Sequence, residues 1–447
     1  MKPLLLVGNE TFNCTIDLAP AAPGPHHSGK EGFGVSPFLV MLILLALFLA
    51  AGAFISGSCE EEEAQDEPAK NQASDERIRS LANDLEPFLS IKGWNTVGEV
   101  VQFEGLLRTD PADALRGIND RLGSSNVRAI LTEAEQNRVR VTLVPTDVEE
   151  SAPKEPNWWL HGILFLITLA TTTWAGALHQ GVNILQNPAS FAIGLPYSIG
   201  LLLILGAHEL GHYFAARKHR IQVTPPYFIP APFALGTFGA FIGMRGAVQD
   251  RRALFDVAVA GPLAGLVFAI PALLFGLQYS KVVSAGAAPG TFHGGVEVGS
   301  SFLMAILSKL ALGPAVGEGH QLILHPLAFA GWLGLLVTAL NLLPIGQLDG
   351  GHIAHALFGS RRAHTISVAA LVSLFFLAFF VWPGLMMWAF IVFFIAGTGD
   401  TPAANDLTPM DSFRQALGYL AFALLALILV PVPHSLYSTF GIHCPYV

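Results

Sequence analysis

The chain has 447 residues, of which 52% are hydrophobic and only 13% are charged. A soluble globular protein carries about 25% charged residues, so this composition excludes an ordinary soluble enzyme and also a disordered chain. The charges are concentrated, because 32 of the 57 charged side chains lie between residues 60 and 157. That segment also accounts for the net charge of −9, which therefore gives no indication of nucleic-acid binding. We expect a polytopic α-helical membrane protein that carries one small soluble domain.

The chain begins with residues 1–36, a predicted extracytoplasmic segment, and with a first predicted transmembrane span at 37–56. A competing interpretation makes this span and Cys59 a lipoprotein signal, but the basic stretch that should precede the span is reduced to Lys30. We therefore retain the span. The acidic and polar residues 60–75 follow as a tether, because they show no apolar period.

Residues 76–157 are predicted to form a small cytoplasmic α/β domain inserted after the first span. Asp110 is a candidate helix N-cap with Pro111 in the first helical position, and Gly123 is expected to end that helix. The strands predicted around this helix lie at 97–107, 127–132 and 138–144. The domain shows no catalytic cluster, so a regulatory or interaction role is its simplest interpretation.

Eight apolar stretches are long enough to cross a bilayer, which predicts about eight transmembrane helices. Residues 158–400 form the predicted intramembrane core, and residues 401–447 contain the last span and a short extracytoplasmic tail. A shorter apolar stretch at 300–312 is expected to be re-entrant. The seven spans after the first lie at 158–177, 191–216, 253–277, 325–357, 364–382, 384–398 and 413–431.

The basic residues of the short loops predict the orientation, since cytoplasmic loops carry an excess of Lys and Arg. With residues 60–157 in the cytoplasm, nine of these basic residues lie inside and four lie outside. Both chain termini then lie outside, where Cys14 and Cys444 share one side of the membrane; we leave open whether they form a disulfide. An integral protein of the bacterial inner membrane is the simplest localisation.

His208, Glu209 and His212 form an HExxH motif inside the third predicted span. On a helix this spacing places the two histidines one turn apart on the same face, where both imidazoles can bind one zinc ion. The glutamate between them can take a proton from a zinc-bound water. Ionisable side chains inside a span are costly and generally mark function. The motif therefore predicts a catalytic zinc site, against the simpler alternative of two histidines near the membrane interface.

A catalytic zinc ion usually has a third protein ligand, and Asp349 is the favoured candidate. It follows Pro344 and Gly346, which are expected to break the helix, and broken backbone inside a membrane must line a polar site. His352 and His355 lie close by in the sequence and remain alternatives.

The two motifs HELGH at 208–212 and NLLPIGQLDGGH at 341–352 together resemble the site-2 protease family of intramembrane zinc metalloproteases, peptidase family M50. The resemblance covers about residues 158–400. Three stretches between the motifs are similar to the branch that includes the plant chloroplast yellow-green proteases and their bacterial relatives, namely 225–232, 236–240 and 255–262.

This resemblance implies one zinc ion held by His208, His212 and Asp349, with Glu209 as the general base. It also implies a role for Asn341 near the scissile carbonyl or its oxyanion, and an Asn amide is chemically able to donate a hydrogen bond there. The loop at 221–244, rich in Pro, Gly and aromatic residues, would form strand or re-entrant structure near the active site.

Two functions follow from these predictions. In the first, regulated intramembrane proteolysis, a zinc-activated water and a glutamate base hydrolyse a peptide bond within or beside a transmembrane segment of a membrane-protein substrate, toward the cytoplasmic side. The expected partners are transmembrane substrates and lipid, without nucleic acid, and a homo-oligomer is left open. The second function is a metal-binding scaffold or a transporter, which would more readily show an internal repeat with a second broken helix. The intact glutamate favours the enzyme.

Overall fold

The computed structural model describes residues 68–430, with gaps at 98–99, 124–126, 135–137, 146–155, 233–234, 246–247, 285–300, 314–319, 381–384, 398 and 400–401. The predicted N-terminal segment, the first span at 37–56, most of the tether and the three cysteines lie outside the described residues. The end of the C-terminal tail also lies outside them.

The soluble part comprises residues 68–145 and combines two described helices with one four-stranded sheet. Its strands are antiparallel in the order β1-β2-β4-β3. The helices bury apolar side chains against the sheet around Leu85, Phe103 and Leu131, all of which are fully buried. The elements are α1 (Pro68–Leu85), β1 (Leu89–Val97), β2 (Val100–Leu107), α2 (Pro111–Leu122), β3 (Val127–Glu133) and β4 (Val139–Pro145).

The capping prediction for α2 is confirmed, because the Asp110 carboxylate accepts a hydrogen bond from the N–H of Ala112 at 2.9 Å and Gly123 ends the helix. The predicted β-α-β-β order missed α1 and β1. The helix α1 begins at Pro68, inside the predicted tether, where proline at the first helical position precedes good helix formers. Strand β1 does not alternate regularly, and its pairing with β2 shifts between Ile91 and Gly93.

Five helices of the described residues are long and apolar enough to cross a membrane, so the protein is an integral membrane protein of mostly helical structure. These helices are α3 (Trp158–His179), α4 (Leu195–Lys218), α5 (Arg251–Gln278), α9 (Ser360–Phe380) and α11 (Ser412–Leu429). The shorter ones are α6 (Phe302–Leu312), α7 (Pro326–Asn341), α8 (Asp349–Phe358) and α10 (Leu385–Ile391), which continues into a π-helical turn at Val392–Ala396.

The predicted count of eight spans is not reproduced among the described helices. The stretch 325–357 is divided into α7 and α8, because the backbone between them is broken around Pro344 and Gly346, where Gly346 has φ 47°. In the described part of the stretch 384–398 lie α10 and the π turn, which together are too short to match a span. The short stretch predicted at 300–312 contains α6, which has 11 residues and is therefore too short to span, as expected.

The helices α4, α5 and α7 pack against one another at the centre of the membrane part. Their shared core includes Leu201 and Leu205 from α4, Leu273 from α5, and Ala330 and Leu335 from α7, all of them buried. This packing holds α4, which carries the HExxH motif, in contact with two neighbours.

The loop predicted to be non-helical at 221–244 forms four short strands, which confirms that expectation. Strands β6 and β7 pair as an antiparallel hairpin, and β5 pairs with β8. The hairpin lies against α3, where His161 Nδ1 donates to the carbonyl of Pro226 at 3.0 Å. The strands are β5 (Gln222–Val223), β6 (Tyr227–Pro230), β7 (Thr237–Phe241) and β8 (Met244–Arg245); β9 (Lys281–Ser284) and β10 (His320–Ile323) pair elsewhere.

The soluble part meets the membrane part at one end of the helices. Leu131 of β3 and Asp250, which precedes α5, each form a β-bridge to Asn405 in the connection between the π turn and α11. The sequence predicted that the soluble domain and these loops share one side of the membrane, and the β-bridges bring them into contact. That this side is the cytoplasm stays a prediction.

Candidate metal centre

The helix α4 carries the HExxH side chains into the protein interior. His208, Glu209 and His212 are all buried, and the residues that precede them in the helix, 199–207, are apolar. The four-residue spacing places both imidazoles on one face, and their ring centroids are 4.8 Å apart. The two histidines therefore converge on one point.

Asp349 reaches the same point from the first turn of α8. Two backbone N–H groups hold the preceding loop in place. The N–H of Gly346 donates to Ser367 Oγ at 2.8 Å, and the N–H of Gln347 donates to the Ala396 carbonyl at 3.1 Å. Ser367 belongs to α9 and Ala396 ends the π turn, so two further elements fix the position of this carboxylate.

Three potential ligand atoms form a nearly equilateral triangle. Asp349 Oδ2 lies 3.3 Å from both His208 Nε2 and His212 Nε2, and the two nitrogens are 3.1 Å apart. Four zinc ligands at about 2.0–2.1 Å in a tetrahedron lie about 3.4 Å from one another, so the triangle matches one face of such a site. The residues thus fit a zinc ion and leave a fourth position for another ligand.

The contact of Nδ1 shows which ring nitrogen of His212 carries the proton. His212 Nδ1 lies 2.8 Å from the carbonyl oxygen of Val257 on α5, and a carbonyl can only accept. The proton is therefore on Nδ1, which leaves the lone pair of Nε2 facing the triangle. Such an outer contact fixes the orientation and tautomer of a metal-binding histidine.

Two glycines of α5 allow this close approach. A Cβ atom at Gly261 would lie 2.1 Å from His212 Nε2, and one at Gly265 would lie 3.4 Å from His208. A side chain at position 261 would therefore occupy the space of the ligand atom itself.

Glu209 lies beside the triangle without belonging to it. The backbone of Ile242, in the segment between β7 and β8, lies close to its carboxylate. Asn341, the last residue of α7, places its Nδ2 3.3 Å from His208 Nε2. The structure thus brings the predicted base and the predicted amide to the edge of the three-ligand group.

The two rival ligands are not in the triangle. His355 Nε2 lies 2.8 Å from Asp406 Oδ1, and this histidine is 1% exposed. His352 follows Asp349 by one helical turn. The sequence left these alternatives open because all three residues are close in the chain, whereas the direction of each side chain depends on how α8 packs.

Four ionisable residues form a further cluster near the site. Asp256 on α5 accepts hydrogen bonds from Arg414 on α11, at 2.6 and 2.7 Å, and pairs with His219 Nε2 at 2.9 Å. Asp411 caps α11 and also pairs with Arg414, whose backbone N–H and guanidinium hold the pKa of the Asp411 carboxyl below its usual value. Sequence reasoning missed this cluster, because its members lie up to 195 positions apart.

Comparison with known proteins defines the class. Residues 196–382 match peptidase family M50. The "Probable zinc metalloprotease EGY2, chloroplastic" of Arabidopsis thaliana is 31% identical over 345 residues, which are 75% of this chain and 61% of that protein. The "Probable zinc metalloprotease EGY1, chloroplastic" of the same plant is 30% identical over 385 residues, which are 77% of this chain and 68% of that protein. No solved structure matches the chain significantly.

The fold and the site define the class, which is a helical membrane protein with a His-His-Asp centre. This chain belongs to peptidase family M50, the family that contains zinc metalloproteases similar to it. It spans about three fifths of the length of some of these relatives, such as 61% of the first. The named relatives are chloroplast proteins of plants, so the predicted bacterial inner membrane has no support from them.

Proposed function

We propose that this protein is an intramembrane zinc metalloprotease that hydrolyses a peptide bond within or beside a transmembrane segment of a membrane-protein substrate. The observation that carries the proposal is the triangle of His208 Nε2, His212 Nε2 and Asp349 Oδ2, with edges of 3.1–3.3 Å, next to the buried carboxylate of Glu209. The similarity to zinc metalloproteases supports the same assignment.

Each residue has a defined task in this proposal. His208, His212 and Asp349 would hold the zinc ion, which when bound acts as a Lewis acid and lowers the pKa of a water molecule. Glu209 takes the proton of the attacking water and delivers it to the leaving amine. Asn341, whose Nδ2 lies 3.3 Å from His208 Nε2, would donate a hydrogen bond to the developing oxyanion.

The hairpin of β6 and β7 is evidence that the substrate is a peptide. A helical substrate hides its peptide bonds in internal hydrogen bonds, so it must unwind before cleavage, and an extended segment can pair with an exposed strand. The backbone of Ile242, directly after β7, lies close to the Glu209 carboxylate, so a strand bound along this hairpin would pass close to the proposed base. A membrane-spanning protein is the substrate class that we propose, with the metal centre toward the side that carries the basic loops.

A scaffold or transporter is the alternative of a different class. A structural metal site needs no additional carboxylate beside it, whereas Glu209 is buried next to the triangle and is not one of its corners. This arrangement favours hydrolysis.

The decisive experiment measures zinc content and cleavage of a transmembrane peptide with the full chain purified in detergent. We expect about one zinc per chain in the wild type. Glu209→Gln should keep the zinc and lose about 10²–10⁴-fold in cleavage rate, because it removes the general base. Asp349→Ala should lose both zinc and cleavage.

Asp113→Asn is the matched control, because this carboxylate is exposed on α2. Cleavage retained in Glu209→Gln would contradict the role of the base. A folded wild type that binds zinc and cleaves nothing would favour the scaffold or transporter.

A further inference from the structure

A three-residue segment joins the soluble part to the membrane part through backbone hydrogen bonds on both of its sides. Toward the soluble part, the N–H of Leu131 donates to the Ala404 carbonyl at 2.8 Å, and the N–H of Asp406 donates to the Leu131 carbonyl at 2.9 Å. Toward the membrane part, the N–H of Ala404 donates to the Val248 carbonyl at 2.8 Å. We call residues 404–406 the junction strand, since they extend the edge of the soluble sheet.

The carboxylate of Asp406 fastens the junction strand to two membrane helices. It is fully buried, and its Oδ1 accepts a hydrogen bond from His355 Nε2 at 2.8 Å and lies 3.3 Å from Arg251 Nε. His355 belongs to α8 and Arg251 is the first residue of α5. A buried carboxylate is stable only with such partners, so Asp406 resists displacement from both helices.

Both of these helices contribute to the metal centre. The helix α8 begins with Asp349 itself, and α5 supplies the Val257 carbonyl to His212. The residue before Val257 is Asp256, which is bound by Arg414 only eight positions after Asp406 in the chain. The connection around the junction strand therefore anchors the first two turns of α5 as well as α8.

We propose that Asp406 is a positioning residue, through which the docked soluble part sets the geometry of the metal centre. The contacts run from β3 through the junction strand to Asp406, then to His355 and Arg251, and through α8 and α5 to Asp349 and His212. This inference deepens the proposed function, on which it rests, because it names how that site is regulated. Undocking of the soluble part loosens the triangle of ligands, and a partner that pulls on this part lowers zinc affinity without touching the metal.

The test compares Asp406→Ala with the wild type in the full chain. Hydrogen exchange of metal-free protein should show faster exchange at the amide of Leu131, and unchanged exchange at Val141 within the β2–β4 pairing. Zinc affinity should fall at least about tenfold, the size of effect seen when outer contacts of a metal site are removed. The visible spectrum of the Co²⁺-loaded protein should also change, since it reports the geometry of the ligands.

Glu104→Gln is the matched control, because Glu104 also pairs with a cation, Arg140, at 2.7 Å but lies within the soluble sheet. Both its zinc affinity and its Co²⁺ spectrum should equal those of the wild type. If Asp406→Ala does not fold, Arg251→Gln removes one partner of the same carboxylate. We then expect a smaller increase in exchange at Leu131 and a smaller decrease in zinc affinity.

Faster exchange at Leu131 with unchanged zinc affinity and Co²⁺ spectrum would overturn the coupling. Unchanged exchange at Leu131 would show that Asp406 does not hold the junction strand against β3. None of these readouts needs proteolysis. A wild type that binds metal and cleaves nothing would therefore contradict the proposed function, whereas hydrogen exchange, zinc affinity and the Co²⁺ spectrum would still test this inference.

Discussion

At the scale of single residues, this metal centre depends on the missing side chains of neighbouring glycines as much as on its own ligands. His212 approaches α5 so closely that only the missing side chain of Gly261 makes room for its Nε2. The Val257 carbonyl, one turn earlier, then determines which nitrogen of that ring keeps the lone pair. The helix α4 thus provides the ligand, whereas α5 determines its tautomer and leaves the space for its ring.

We predict that Gly261→Ala lowers zinc affinity at least about tenfold, because its Cβ would lie 2.1 Å from His212 Nε2 and push the ring away. Alanine favours a helix over glycine by about 1 kcal/mol, so helix propensity does not cause the loss. Zinc affinity by competition with a chelator measures the effect. Gly162→Ala is the control, since a Cβ there meets nothing within 4 Å. Equal zinc affinity in both variants would show that the ring can move without consequence.

At the scale of elements, the broken segment between α7 and α8 places Asp349. The sequence predicted the break from Pro344 and Gly346, and it occurs between Asn341 and Asp349. What the sequence did not reveal is the support of this loop by Ser367 and the π turn, which lie at least 21 positions away from Gly346. Broken backbone inside a membrane needs such partners for its N–H groups.

Two glycines of this region allow a matched comparison. Both Gly346 and Gly397 have positive φ, at 47° and 62°, so alanine at either position should destabilise the protein by roughly 1–3 kcal/mol. A Cβ at Gly346 would in addition lie 2.2 Å from the Gly397 carbonyl oxygen, whereas one at Gly397 meets nothing within 4 Å. We expect Gly346→Ala to weaken zinc binding and Gly397→Ala to leave it nearly unchanged.

Thermal unfolding and zinc titration of the two variants separate these effects. Backbone strain alone would give both variants the same loss of stability and the same zinc affinity. That result would show that the loop before Asp349 adapts without moving its carboxylate.

At the scale of the whole molecule, the metal centre joins segments that are 133 to 141 positions apart, as His208 does with Asn341 and Asp349. Binding of zinc to the native state but not to the unfolded chain must therefore stabilise the entire packing of α4, α5, α7 and α8.

We predict that free zinc at 100 times its dissociation constant raises the free energy of unfolding by about 2.7 kcal/mol. Asp349→Ala at the same zinc concentration should gain much less, because one corner of the triangle is lost. Thermal unfolding in detergent, with zinc and with a chelator, measures the difference. An equal shift in the two proteins would place the zinc site elsewhere.

The sequence alone determined the membrane class, the HExxH helix and the break before Asp349, because apolar length, four-residue spacing and Pro-Gly breaks act over short stretches of chain. It did not determine the number of spans or the elements α1 and β1, where local patterns are weak. It also left Asp349, His352 and His355 as rivals. Only the tertiary structure decided which of these side chains meets the two histidines, and that Asp406 links the soluble part to α5 and α8. Those contacts join residues far apart in the chain, and their geometry depends on packing that no local pattern encodes.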